Sequence, residues 1–241
     1  MSYNLLADTP GFDGAPAYSR ADGVCAILNT LKPDVIALQE TSRNWFYALN
    51  KGTSYKFISP VKTKLLGTMT TLLYNPEALV LNHWGEYTFT KNHNGRLRCA
   101  VWGFFTERST AKNFIVISTH LSLSDKENQF PEQQAMELIT LINTLTNKYN
   151  CPLILTGDFN SDKRTSTNQK STVYEILSTR LTDSVATSTE KSCGKCKDFS
   201  GYRVDHIFLS TEPKALRFVI LSQPEFATLS DHYPIFMDLV L

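Results

Sequence analysis

Three short apolar runs in this 241-residue chain end in side chains that can do chemistry. Val35-Ile-Ala-Leu-Gln39 runs into Glu40, Phe114-Ile-Val-Ile-Ser-Thr119 into His120, and Leu153-Ile-Leu-Thr-Gly157 into Asp158-Phe159-Asn160. Further along, Asp205-His206 and Asp231-His232 each set a carboxylate beside an imidazole, next to apolar stretches. Carboxylates, imidazoles and an amide converging on one rim fit metal-assisted phosphoryl transfer. A phosphodiester is anionic and repels hydroxide, so its hydrolysis needs charge neutralisation, an oriented water and a protonated leaving oxygen. Magnesium binds through one or two carboxylates, keeps several waters and accepts phosphate oxygens. Histidine and aspartate exchange protons or hold charge near neutral pH. The chain has no G-x-x-x-x-G-K-[ST] phosphate loop and no G-x-S-x-G elbow, which disfavours nucleotide-triphosphate and serine-hydrolase chemistry. The histidines lack H-E-x-x-H spacing, so zinc is the weaker choice.

Such groups work only if something rigid holds them. In layered α/β folds that support is the end of a buried strand, beyond which the loops are free to vary. The run from Asp34 to Leu38 is continuously apolar, as in a strand covered on both faces. Strands are predicted over 1–7, 70–74, 78–84, 97–105, 113–118, 152–155, 204–209, 217–221 and 233–241. Val24, Ile27, Leu28 and Leu31 have helical spacing over 23–31, with Ser19 as an N-cap and Pro33 as the stop. Ala135, Leu138, Ile139, Ile142 and Leu145 form one stripe of a helix over 132–148, with Pro131 suited to its first turn. A short helix follows near 173–177, and 183–200 reads as a polar, exposed excursion. With no repeat and no linker, the pattern predicts one α/β layered domain over 1–241.

Composition agrees. Hydrophobic residues make up 42% and charged residues 20%, and 24 basic against 23 acidic side chains leave a net charge of +1. A chain of this length buries roughly 70–75% of its unfolded surface and needs no disulfide or metal to hold a core. Disordered, collagenous and membrane-spanning classes are excluded, since no run reaches 18 apolar residues. The near-zero charge argues against broad gripping of duplex DNA and leaves room for a local basic patch. Cys25, Cys99 and Cys151 lie in or beside apolar runs and read as small buried hydrophobes. Cys193 and Cys196 form a C-x-x-C, compatible with a local disulfide, redox chemistry or half of a zinc site. No signal peptide is visible, and the chain opens directly on a strand. A soluble protein of the cytoplasm and one exported with its leader absent from this chain both fit.

Six blocks carry a resemblance: Ser2-Tyr-Asn4-Leu, Asp34-Val-Ile-Ala-Leu-Gln-Glu40, Ser118-Thr-His120-Leu, Thr156-Gly-Asp-Phe-Asn-Ser161, Arg203-Val-Asp205-His-Ile-Phe-Leu-Ser210 and Leu229-Ser-Asp231-His232-Tyr-Pro-Ile. Together, in this order, they resemble the endonuclease/exonuclease/phosphatase family of divalent-metal phosphoesterases. The resemblance implies a four-layer α/β sandwich, two mixed β-sheets face to face and flanked by helices. It implies Mg²⁺ or Mn²⁺ on Glu40, with Asn4 close by and Asp231 as a second metal-side carboxylate. Asp158 would orient or deprotonate the attacking water, and Asn160 would hold a phosphate oxygen. His232, oriented by Asp205, would contact the scissile phosphate. His120 would stabilise the transition state or assist the leaving group, and Arg98 would touch phosphate. The implied partner is a phosphate ester: a small molecule, a lipid head group or single-stranded nucleic acid, handled by a monomer.

Two positions depart from the family pattern. Leu66-Gly67-Thr68 stand where many members carry a Glu that supports the residue matching His120, and His206 stands where a Tyr is usual. Taken singly, the site residues also have structural readings. Asn4 and Asn160 suit turns at strand ends, Glu40 suits a cap, His83, His93 and His206 read as structural, and Lys163, Arg164 and Lys170 suit a solvated loop. The expected function is a divalent-metal-dependent phosphodiesterase. A phosphomonoesterase on sugar or inositol phosphates, and a catalytically silent binding module on the same fold, are the alternatives.

Overall fold

The apolar runs that end in candidate residues are inner strands of two sheets. In the computed structural model, which describes residues 1–8, 15–58, 70–90, 97–123, 130–161, 171–193 and 203–241, the first sheet contains β1 (Ser2–Asn4), β2 (Val35–Gln39), β3 (Lys56–Ile58), β4 (Thr71–Tyr74), β10 (Glu190–Cys193), β12 (Lys214–Ile220) and β13 (Ile235–Val240). Its order is β10-β12-β13-β1-β2-β4-β3. The second contains β5 (Leu79–Thr88), β6 (Cys99–Glu107), β7 (Asn113–His120), β8 (Leu153–Asp158), β9 (Thr182–Asp183) and β11 (Asp205–Leu209), in the order β5-β6-β7-β8-β11-β9. Both sheets are mixed: β1 and β2, β10 and β12, and β7 and β8 run parallel, and the other pairs antiparallel.

Three apolar cores define four layers. Helices α1 (Ala17–Leu31) and α2 (Arg43–Gly52) cover the first sheet through Tyr3, Leu28, Ile36, Leu38, Trp45 and Leu49. Helices α3 (Phe130–Tyr149) and α4 (Thr172–Ser178) cover the second through Ile117, Leu138, Ile142, Leu155 and Leu177. Between the sheets lie Leu72, Val101, Phe105, Val116, Ile154, Ile207 and Phe218, drawn from both. This is the expected four-layer α/β sandwich. Strands packed on both faces leave little room for charged side chains, so the candidate carboxylates and imidazoles gather where β1, β2, β7, β8 and β11 reach the rim. Among the described residues no helix is long and apolar enough to cross a membrane.

Several element expectations change. α1 starts at Ala17 after Pro16, and the Ser19 hydroxyl donates to the Pro16 carbonyl from inside the first turn rather than capping it. The opening strand is shorter than 1–7, because Leu6 turns away with φ 55°. α2 was not legible as a helix, since only Trp45 and Leu49 of its ten residues are buried. Its N-cap is Ser42, whose hydroxyl accepts from the Trp45 amide at 3.3 Å. The polar stretch from 183 is no simple excursion: it contributes Asp183 of β9, the short helix α5 (Ser184–Thr187) and β10, with Asp183, Ser184 and Ser188 buried. Cys25 and Cys99 are buried, Cys151 is half-buried and all three are free. Cys193 ends β10, while Cys196 lies outside the described residues, as do His93 and the 92–96 loop, Leu66-Gly67-Thr68, Lys163, Arg164 and Lys170.

Candidate active site

Register sets half of the site. Parallel pairing of β7 and β8 places His120 opposite Asp158, and antiparallel pairing of β8 and β11 places Asp205 opposite Asp158. Three candidate residues therefore share one rung. Gly157, one residue before Asp158, has φ 147°, and a Cβ there would lie 1.9 Å from the Thr119 carbonyl oxygen. Only glycine lets β7 and β8 approach this closely.

The other half comes from the first sheet. Asn4 ends β1 opposite Gln39, and Glu40 leaves β2 with φ 57°. Asn4 Nδ2 donates across to Asp158 Oδ2 at 2.9 Å and to Glu40 Oε1 at 3.4 Å. The Ala7 amide holds Glu40 Oε2 at 2.9 Å, and the Leu6 amide holds Asn4 Oδ1 at 3.1 Å. The amide nitrogen of Asn4 thus faces the carboxylates, and its oxygen serves the turn. Beneath them Gln39 is fully buried, and its Nε2 donates to Ser2 Oγ and to Ser118 Oγ of the opposite sheet, each at 3.3 Å.

His232 closes the site. Its Nδ1 lies 2.7 Å from Asp205 Oδ2, and its Nε2 3.8 Å from Asp158 Oδ2. His120 Nε2 is 3.5 Å from the same Asp158 oxygen. Asn160 has φ 48°; its amide donates to Asp158 Oδ1 at 2.8 Å and its Nδ2 to the Leu121 carbonyl at 2.8 Å, tying this turn to the exit of β7. Asp231 is exposed, Glu40 is half-buried, and Asp205 Oδ1 is buried with no hydrogen-bond partner among the described residues. Arg98 is half-buried, and its charge reaches His120. Asn4, His120, Asn160, Asp205 and His232 thus each contact Asp158 or share its rung, and Glu40 is joined to it through Asn4.

The charges are strongly perturbed. Burial, reinforced by the Asp205 carboxylate, raises the Asp158 carboxyl to about 6, against the pull of His232, the Asn160 amide and Asn4. Burial alone would lower His232; the hydrogen bond and charge of Asp205, then Asp158 and Asp231, overcome it and raise the imidazole to about 10. Burial holds His120 well below its ordinary value, and Arg98 and His232 add to that. At neutral pH the site pairs an imidazolium on His232 with the Asp158 and Asp205 carboxylates, and keeps His120 neutral. Asp158, Asp205 and His232 offer donor atoms all within 4.8 Å of one another. The Nδ1 hydrogen bond already engages two of these three with each other, whereas Glu40, half-buried, and Asp231, exposed, each offer a carboxylate. An all-oxygen set of this kind suits Mg²⁺ or Mn²⁺.

Two features were not visible in the sequence. His206 lies under the 159–161 turn, against Phe159, Tyr174 and Phe208, with Nε2 3.1 Å from the Ser161 carbonyl and Nδ1 3.5 Å from Asp183 Oδ2. Arg203 and the Tyr174 hydroxyl also hold Asp183 Oδ2. The second is Arg20, buried behind the turn that follows Asn4.

The model of the endonuclease/exonuclease/phosphatase family matches residues 1–232. Among curated protein sequences there is no significant match. Solved structures are similar over nearly the whole chain. A mannosyl-6-phosphatase of Bacteroides thetaiotaomicron has a TM-score of 0.85 at 22% identity, covering 100% of this chain and 98% of its own. An endonuclease/exonuclease/phosphatase from Bacteroides vulgatus gives 0.84 at 22% identity, covering 100% and 97%. The human nocturnin catalytic domain with bound sulfate gives 0.76 at 18% identity, covering 99% and 92%. At these identities the likeness is one of fold.

Proposed function

The chain belongs to the endonuclease/exonuclease/phosphatase family, and from that premise we propose that residues 1–241 form one catalytic domain that hydrolyses phosphodiesters with the help of a divalent cation. The observation that carries this reading is the convergence of Asn4, His120, His232 and Asp205 on the buried Asp158 carboxylate. Such a carboxylate, raised to about 6 yet ionised at neutral pH, is suited to orient and deprotonate a water. Asn4 Nδ2 and the Asn160 amide keep its two oxygens aimed. His232, held cationic by Asp205, faces the phosphoryl oxygens, and Asn160 offers the amide proton that Leu121 leaves unused. His120, neutral and against Asp158, serves the leaving oxygen, with Arg98 behind it. Glu40 and Asp231, with Asn4 between Glu40 and Asp158, would hold the Mg²⁺ or Mn²⁺. When bound, the ion supplies positive charge to the phosphoryl oxygens.

Charge favours a diester. Among the described residues a monoester dianion would meet the carboxylates of Glu40, Asp158, Asp205 and Asp231, with His232, Arg98 and the cation to offset them, whereas a diester carries one negative charge. The similarity to a mannosyl-6-phosphatase makes the monoester the reading to test against. Turnover of bis(p-nitrophenyl) phosphate and of p-nitrophenyl phosphate with Mg²⁺, with Mn²⁺ and in excess EDTA separates the two. We expect diester hydrolysis that EDTA abolishes, and a loss of about 10²-fold or more in Asp158→Asn and in His232→Ala with the fold retained. Near-native rates in both variants, or full turnover in EDTA, would sink the assignment. A clear preference for the monoester would move the substrate to sugar or inositol phosphates. Single-stranded RNA and DNA, sphingomyelin, mannose 6-phosphate and inositol phosphates form the next panel.

A further inference from the structure

Arg20 is 3% exposed, and its guanidinium is spent on backbone carbonyls. Nε donates to the Ala15 carbonyl at 2.6 Å, Nη2 to Leu6 at 2.6 Å, and Nη1 to Leu5 at 2.5 Å and Leu229 at 2.7 Å. The group sits 4.8 Å over the Trp45 ring, and Trp45 Nε1 donates to the same Leu6 carbonyl at 3.2 Å. Burying a guanidinium is costly, and four charge-assisted bonds offset that cost only while all the carbonyls stay in place. What those carbonyls belong to is the informative part. Leu5 and Leu6 follow Asn4 directly, and the amides of Leu6 and Ala7 hold Asn4 Oδ1 and Glu40 Oε2. Leu229 precedes Ser230, whose hydroxyl donates to the Asn4 carbonyl at 2.7 Å and accepts from the His232 amide at 3.2 Å. The second loop rests on α1 itself: a Cβ on Gly23 would lie 2.7 Å from Leu229 Cδ2. One planar fork therefore ties the loop that aims Asn4 and Glu40 to the loop that carries Asp231 and His232, more than two hundred residues later in the chain.

We infer that Arg20 is a positioning residue for the metal side of the site, setting Glu40 and Asp231 relative to each other by clamping the Leu5–Leu6 and Leu229 carbonyls. The inference rests on the reading of Glu40 and Asp231 as metal ligands. It predicts that Arg20 variants lose metal affinity beyond any loss of stability. Residues that orient ligands without touching the ion typically change affinity by about 10–100-fold. The test is calorimetric titration of Mn²⁺ into the native chain, Arg20→Lys, Arg20→Met and Leu138→Ala, each at a temperature where circular dichroism shows it fully folded. Leu138, in the core under α3, serves as a purely structural control.

The expected result is a Mn²⁺ dissociation constant raised about 10-fold or more in both Arg20 variants and unchanged in Leu138→Ala. If Arg20→Met does not fold, Arg20→Lys decides, because an ammonium keeps the charge but cannot span the four carbonyls. A dissociation constant for Arg20→Lys within twofold of native overturns the inference and leaves the metal reading intact. If the native chain takes up no Mn²⁺, the metal reading is what fails. Hydrogen exchange then decides the clamp: unchanged protection of the Leu6, Ala7 and His232 amides in Arg20→Lys overturns it, and loosened protection of all three upholds it.

Discussion

Asp205 and His232 act as a unit. The 2.7 Å contact between them fixes which imidazole nitrogen faces the carboxylate and leaves Nε2 toward Asp158. Asp205→Asn removes the charge that lifts the imidazole while keeping the shape. We expect turnover to fall about 10²-fold or more, with little further loss when His232→Ala is added, because residues that work together are not additive. A double-mutant cycle on turnover reads this directly, and independent, multiplying losses would separate the two residues. The pH profile should move as well. His232, raised to about 10, stays cationic through neutral pH in the native site. Without Asp205 its value returns toward the ordinary 6.5 or so, and the alkaline limb of kcat/KM moves down by pH units. These residues stood out in the sequence because each lies beside an apolar strand, Asp205 at the start of β11 and His232 just before β13, where a charge is costly without a partner; their pairing was implied by the family resemblance. Arg20 did not stand out, because its partners are backbone carbonyls, which no residue type announces.

At the scale of elements, most strands were implied by the runs themselves, though not their registers, and what holds β9, β11 and α4 together was hidden in a stretch that reads as polar and exposed. Asp183 is buried, bonded to Arg203 and Tyr174 and faced by His206. A carboxylate can be buried cheaply only when such partners are present, and the sequence does not pair them. Burial alone would raise its carboxyl; the His206 and Arg203 contacts win and hold it well below the usual carboxylate range. A folded value below the unfolded one, about 3.9, makes the stabilisation complete above that pH and lost progressively as pH falls through it. Asp183→Asn leaves the largely covered Arg203 beside a neutral amide and should cost about 3 kcal/mol at pH 7. The gap in urea midpoint between native and variant should then narrow as pH falls below about 4. A gap that persists unchanged at pH 3 would mean the carboxylate charge is not what Arg203 and His206 need.

For the molecule as a whole, the site is a seam. Asn4 and Glu40 come from one sheet, and His120, Asp158 and Asp205 from the other, so the 2.9 Å contact between Asn4 and Asp158 measures the gap between the sheets. The core that sets this gap is the inner one. Leu72 of β4 lies in it, fully buried, whereas Leu138 of α3 is equally buried between helix and sheet. Leu72→Ala and Leu138→Ala delete the same atoms, and each should cost about 3 kcal/mol. Their effects on turnover should differ. The cavity from Leu72 lets the sheets relax toward each other, and a shift on the order of 1 Å between reacting groups can cost up to about 10²-fold. The cavity from Leu138 leaves the seam alone. Assayed well below both unfolding midpoints, Leu72→Ala should lose about 10-fold in kcat while Leu138→Ala stays near native. Equal rates in the two would show that the Asn4–Asp158 contact is kept by the loops above the sheets, with Arg20 their strongest tie, rather than by the core between them.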